Sequence, residues 1–175
     1  MTKLYVRRLR CDELELAVRI YDDGRRAIAS LGIDQWQDGY PSREVTAEDI
    51  EKGILYAAVD KESECIAAVA AMVPYPDHDY DVIDGEWLFD GEYVAVHRVA
   101  ASDAYRGSGA SSLLLKEIEE MVSSRKIGSI RIDTHRGNAV MQRFLDKHGF
   151  CCCGQITLSH GDGDRVRVAY EKLIL

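Results

Sequence analysis

The sequence is poor in proline and in phenylalanine, with three of each in 175 residues. No apolar run approaches the roughly 20 residues that a helix needs to cross a bilayer. The opening Met1-Thr2-Lys3-Leu4 lacks the charged-then-apolar layout of a secretory leader. The five cysteines are an odd number, three are consecutive (Cys151, Cys152, Cys153), and no two stand as Cys-x-x-Cys. A disulfide framework and a zinc ribbon are therefore not expected; reduced thiols in a cytoplasmic protein are. Positive charge is short as well, since 22 lysines and arginines against 30 acids leave a net charge of −8. This argues against nucleic acid, which calls for a basic face, and mildly favours small or cationic partners. Neither GxxxxGK[ST] nor GxGxxG with a later acidic residue occurs, so the usual nucleotide fingerprints are missing. No second histidine lies at ligand spacing from His78 in its acidic surroundings, and no metal site is expected.

What is present is an ordinary globular composition, 46% hydrophobic and 30% charged, at a length suited to one domain over residues 1–175. Residues 3–9 alternate as a strand, and apolar spacing from Asp12 to Gly32 predicts a helix. The following loop, 33–41, carries Trp36 and Tyr40, which either close a hydrophobic edge or form a substrate lid. Thr46 to Lys52 predicts a short capped helix, and residues 54–60 and 64–73 a hairpin. A polar loop fills 74–91. Then come a strand at 93–101, a helix at 111–124, a strand at 127–134 and a helix from Asn138 to Gly149. Strands at 150–158 and 165–173 close the chain around a glycine-rich turn.

The organising stretch is Tyr105-Arg106-Gly107-Ser108-Gly109-Ala110-Ser111, between a strand and an amphipathic helix. Strand, glycine turn and helix in that order aim unpaired N–H groups and the positive end of a helix dipole at one point. Gly107 and Gly109 admit a bulky anion, and Arg106 supplies a charge for a phosphate. Glycines in such a turn can equally serve the turn alone.

This stretch resembles the acyl-CoA-binding motif of the GNAT N-acyltransferase superfamily, Arg or Gln, two residues, Gly, one residue, Gly or Ala. Arg106 and Gly109 match, and Ser111 departs at the last position. A second resemblance runs from Ile130-Arg131-Ile132-Asp133-Thr134-His135 through Asn138, Met141 and Phe144 to Lys147-His148-Gly149-Phe150. It looks like the family's fifth strand and following helix, where an asparagine contacts the pantetheine arm. The element order β-α-α-β-β-β-α-β-α-β-β is also the family's. The resemblance implies an α/β GNAT-like fold with a mixed central sheet. It implies acetyl-CoA as co-substrate, no metal, and acetyl transfer to the primary amine of a small molecule or peptide. Cofactor contacts are then expected from backbone near Val99 and Ala101, from Arg106, Gly107, Ser108, Gly109, Ala110 and Ser111, and from Asn138. Acceptor contacts are expected from Trp36, Tyr40 and His135. A homodimer is left open.

In the family that the chain resembles, histone-modifying members carry a glutamate where this chain has Ala95, and many members carry a tyrosine where it has Leu145. With both missing, the base is sought on the strand at 93–101, where Tyr93 and His97 share the face of Ala95. Histidine is the side chain whose chemistry suits a base at neutral pH, which singles out His97. A histidine simply satisfied within the sheet is the other reading. Glu92, Tyr93 and His135 stand behind it. The missing residues also keep alive a catalytically inactive acyl-CoA-binding or interaction domain of the same fold.

Overall fold

A computed structural model describes residues 3–174. Eight strands form one sheet: β1 (Leu4–Arg8), β2 (Leu55–Asp60), β3 (Ile66–Pro74), β4 (Asp84–Gly85), β5 (Tyr93–Ala101), β6 (Ser129–His135), β7 (Cys151–Thr157) and β8 (Val166–Leu173). Four helices accompany them: α1 (Leu14–Ala29), α2 (Arg43–Glu51), α3 (Ala110–Ser124) and α4 (Ala139–Lys147). The sheet order is β1-β2-β3-β5-β6-β8-β7-β4, antiparallel throughout except for the β5–β6 pair. The mixed GNAT-type architecture expected from the sequence is present. Among the described residues, no helix is long and apolar enough to cross a membrane.

The two-residue period of the strands sorts the core into layers. Tyr56 and Ala58 of β2 and Ala68, Ala70 and Met72 of β3 pack with Leu114, Ile118 and Val122 of α3 and Leu145 of α4. The alternate residues Leu55, Ala57, Val59, Val69 and Ala71 pack with Ala17, Ile20 and Tyr21 of α1 and Ile50 of α2. Both faces of these strands are covered, which explains why they read as near-continuous apolar runs. Burying each larger aliphatic side chain contributes roughly 1.5–3 kcal/mol, so this middle section anchors the rest.

The structure departs most from the sequence reading at the start of α2 and in the polar loop. Helix α2 begins at Arg43 rather than near Thr46, because Ser42 is its N-cap and accepts from the Val45 N–H at 3.2 Å. Thr46 is then a buried interior residue whose hydroxyl donates to the Ser42 carbonyl at 2.8 Å. The polar loop at 74–91 also contributes β4, an eighth strand. There Gly85 lies against Gly154 of β7; a Cβ on Gly85 would come within 2.1 Å of the Cys153 carbonyl oxygen, and one on Gly154 within 2.1 Å of the Asp84 carbonyl oxygen. Only a glycine pair permits that approach.

Candidate active site

Strands β5 and β6 pair only from Tyr93–Ser129 to Ala95–Arg131, although β5 runs on to Ala101 and β6 to His135. Beyond Ala95 they part. A bulge marks the place: Ala71 of β3 faces His97, but Val69 faces Ala100, so β5 carries an extra residue there. Arg98 adopts a φ of 55°, a left-handed conformation costing about 1–2 kcal/mol for a non-glycine residue. The bulge reverses the alternation of the strand. Val94 and Val96 face the α3 side, whereas Ala100 faces the α1 side.

The unpaired edge of β5 beyond Ala95 includes Val99 and Ala101, and Val99 lines a cleft of about 420 Å³. At the end of β5 the chain makes a short turn and enters α3 through the glycine stretch. Gly107 (φ 74°) and Gly109 (φ 84°) are left-handed, and no atom lies within 4 Å of where a Cβ would stand on either. Among the described residues, the N–H groups of Gly107, Gly109, Ser111 and Ser112 have no acceptor, while Ala110 donates to the Ser108 hydroxyl at 3.3 Å. Open glycine faces and free donors at a helix N-terminus fit an anion such as a pyrophosphate. The exposed Arg106 guanidinium stands beside them, held 2.6 Å from Asp103.

Asn138 is buried on the wall of the cleft as the N-cap of α4. Its Oδ1 accepts from the Met141 N–H at 3.1 Å, and its Nδ2 donates to Gln35 Oε1 at 3.1 Å. Gln35 belongs to the α1–α2 loop, so that loop spans the cleft from β5 to α4. Trp36, of φ 65°, packs on α1 at Gly24, where a methyl group would come within 3.1 Å of its ring, and meets Tyr21 edge-on at 5.9 Å. Tyr40 lines the cleft and accepts a 2.7 Å bond from Arg98 Nη1. Trp36 and Tyr40 therefore both close a hydrophobic edge and wall the cleft.

His97 also lines the cleft, flanked by two carboxylates. Its Nε2 donates to Asp77 Oδ2 at 2.6 Å, and its Nδ1 lies 3.6 Å from Asp133 Oδ1. Asp133 in turn accepts a 2.7 Å bond from the buried Tyr80 hydroxyl, whose ring packs on His97 at 5.7 Å. Burial alone would raise the Asp77 carboxyl, but the bond and charge of His97 outweigh it and hold Asp77 below the ordinary carboxylate range. Burial, reinforced by Asp133, pushes the Tyr80 hydroxyl well above the usual tyrosine value.

The remaining candidates lie apart from the cleft. Tyr93 is buried with Ala95, and its hydroxyl accepts from the Asp77 N–H at 3.1 Å and donates to the Asp77 carbonyl at 3.2 Å. It fixes the backbone of Asp77 and stacks under Arg131 at 3.9 Å. Glu92 is exposed at the far end of β5, outside the cleft. His135 is buried beyond the cleft wall, its Nδ1 accepting from the Gly137 N–H at 2.9 Å and its Nε2 lying 3.4 Å from both Asp34 and Asp164. It ties the α1–α2 loop and the β7–β8 turn to the end of β6. Ala95 and Leu145, where the resemblance led a glutamate and a tyrosine to be looked for, are fully buried in apolar clusters. Among the described residues, no group of three or more His, Cys, Asp or Glu is arranged to hold a metal ion.

The sequence reading missed Asp77, Tyr80, Asp133 and Arg98. Arg98 reaches α2 and binds Asp49 in a two-pronged ion pair at 2.7 and 3.0 Å. Burial favours its neutral form, but the oxygens of Tyr40 and Asp49 outweigh that and keep the guanidinium charged. Strict alternation would have turned Arg98 to the opposite face from His97, and the bulge has no sequence signature.

The family model for the acetyltransferase (GNAT) family matches residues 25–150. A solved GNAT-family acetyltransferase from Streptococcus agalactiae is 32% identical, with 99% of this chain and 97% of that one covered and a TM-score of 0.85. One from Listeria monocytogenes is 18% identical, with 97% and 94% covered and a TM-score of 0.72. The ribosomal-protein-S18-alanine N-acetyltransferase of Escherichia coli is 14% identical, with 98% and 94% covered and a TM-score of 0.66, a likeness of fold alone. No curated protein sequence matches the chain. With the split strands and the glycine-lined helix N-terminus, these matches lead to one conclusion: the chain belongs to the GNAT family of acetyltransferases.

Proposed function

We propose that this protein transfers an acetyl group from acetyl-CoA to a primary amine by direct attack, without a covalent enzyme intermediate. The observation that carries this reading is the parting of β5 and β6 beyond Ala95, beside a turn whose N–H groups and glycine faces are open. The free edge of β5 near Val99 and Ala101 is suited to hold the pantetheine amides in the manner of an added strand. The turn from Arg106 to Ser111 is suited to the pyrophosphate, and Asn138 to the pantetheine arm once Gln35 releases it. Acetyl-CoA supplies the activated acyl carbon; the chain supplies position and a proton acceptor.

His97 is that acceptor in this reading. Asp77 holds its Nε2–H, which leaves the Nδ1 lone pair for the proton of the attacking amine. Asp77 then stabilises the imidazolium, as the carboxylate of a catalytic triad does. Tyr93 fixes Asp77, and Tyr80 with Asp133 fixes the other side of the ring. These residues take the place of the missing glutamate and tyrosine. Tyr40 and Trp36 wall the acceptor side, and His135 braces the loop that carries them.

Isothermal titration with acetyl-CoA, followed by thiol release over a panel of amines, tests the reading. Micromolar binding with turnover of at least one amine is expected. Binding without turnover over the panel would favour an inactive acyl-CoA-binding domain, and absence of binding in folded protein would end the assignment.

A further inference from the structure

The cleft is lined by more negative charge than it neutralises. Eight carboxylates line it, and two are matched, Asp49 by Arg98 and Glu48 by Lys52. The other six, Asp34, Asp38, Asp77, Asp79, Asp133 and Asp162, have no lysine or arginine within 4 Å among the described residues. Two further arginines line the cleft, but the guanidinia of Arg165 and Arg167 donate to carbonyls of their own turn, those of Ser159, Asp164 and Val166.

The six fall into two sets. Asp77 and Asp133 flank His97, where the reacting nitrogen belongs. Asp34, Asp38, Asp79 and Asp162 lie where the α1–α2 loop meets the β7–β8 turn, all exposed but the half-buried Asp79: Asp34 accepts from the Asp164 N–H at 2.8 Å, Asp38 from the Asp162 N–H at 3.5 Å and Asp79 from the Ser159 N–H at 2.9 Å. Asp162 itself makes no side-chain bond among the described residues. A separate observation points to a donor-rich ligand. Thr134 also lines the cleft and is 1% exposed, yet its hydroxyl has no hydrogen-bond partner among the described residues. A buried hydroxyl left unpaired is costly, and an ammonium group, all donors, would satisfy it.

We infer that the acceptor is an amine carrying at least one further ammonium group a few bonds away, a linear diamine or polyamine. The reacting nitrogen lies by His97 and the second charge toward Asp38 and Asp162. This rests on the acetyl-transfer reading of the same cleft. The reaction balances simply: the amine nitrogen bonds the acetyl carbon, the carbon–sulfur bond breaks, His97 takes the amine proton, and the CoA thiolate leaves and is protonated from solvent. The second ammonium is unchanged and keeps its charge.

The test compares four-carbon probes that differ only at the far end: 1,4-diaminobutane, butylamine and 4-aminobutanoate, each titrated into the full chain with CoA present and each assayed with acetyl-CoA. The diamine should bind about tenfold or more tighter than butylamine, with the gap closing in high salt, and should have the highest kcat/KM. In an Asp38→Asn/Asp162→Asn variant, the diamine should fall to the level of butylamine; both changes are isosteric and keep the Asp38 acceptor for the Tyr40 N–H. Equal binding of diamine and butylamine, or preference for 4-aminobutanoate through Arg165 and Arg167, overturns the inference while amine turnover leaves acetyl transfer standing. Tight diamine binding with no acetyl transfer to any amine overturns the transfer reading, and the acceptor assignment with it.

Discussion

His97 Nε2 lies 2.6 Å from Asp77 Oδ2, and the backbone of Asp77 is held on both its N–H and its carbonyl by the Tyr93 hydroxyl. One residue of the polar 74–91 loop is thereby locked against β5, two positions beyond the buried Ala95. His97→Ala should leave CoA affinity intact and lower kcat about a hundredfold or more, the usual contribution of a positioned base. Its rate should also lose the wild-type pH dependence near neutrality. Asp77→Asn should lower kcat in the same direction with KM for acetyl-CoA unmoved. A wild-type pH profile in His97→Ala would remove the histidine from the chemistry.

The turn before α3 gives a binding prediction. Arg106→Ala with Gly109→Val removes an exposed cation and places a β-branched residue at a φ of 84° facing the open cradle. Loss of one charge-assisted phosphate bond, worth about 1.5–3 kcal/mol, should weaken CoA by roughly ten- to a hundredfold. Calorimetry on the folded variant checks this, and unchanged affinity would sink the pyrophosphate assignment.

Arg98 and Asp49 are both nearly buried, with side-chain exposures of 11% and 6%. Breaking such a pair strands a buried charge, so Arg98→Leu should destabilise the fold by about 3–5 kcal/mol. Denaturant unfolding measures this. The double change Arg98→Leu/Asp49→Leu should recover part of the loss, because no charge is left alone. A single variant as stable as wild type would show that the bulge does not depend on the pair.

Glu13 is buried, receives two 2.7 Å bonds from Arg7 and accepts from the Arg10 N–H at 2.8 Å. The Arg7 bond chiefly holds its carboxyl below the ordinary value of 4.5, against the effect of burial. A carboxyl lowered in the folded state binds fewer protons there than in the unfolded chain. Its contribution is therefore complete above 4.5 and is lost as pH falls through the lower folded value. Asp77 is shifted in the same direction and adds to the same decline. Stability should hold from neutral pH toward 5 and fall below that, with a shallower acid slope in Glu13→Gln. An unchanged slope would remove Glu13 from the acid transition.

Much of this molecule could be read along the chain, because the signals are local. The near-continuous apolar runs at 55–60 and 66–74, the helical stripe of 110–124, Asn138 before α4 and the glycines at 107 and 109 each depend on residues a few positions apart. The order of elements and the cradle follow from them. The start of α2 is not legible in the sequence because Ser42 and Thr46 are both competent caps; in the fold Ser42 caps the helix and Thr46 is buried within it. Strand β4 could not be read at all, since two residues carry no periodicity and pair only because Gly85 and Gly154 meet. The surroundings of His97 were equally hidden: Asp77, Tyr80 and Asp133 lie 20, 17 and 36 positions away in sequence. The bulge at His97–Arg98 turns two successive side chains toward one side of the sheet, against the alternation that any reading of β5 must assume. Local spacing determined the elements and the anion-ready turn; long-range pairing alone decided which charges face the cleft.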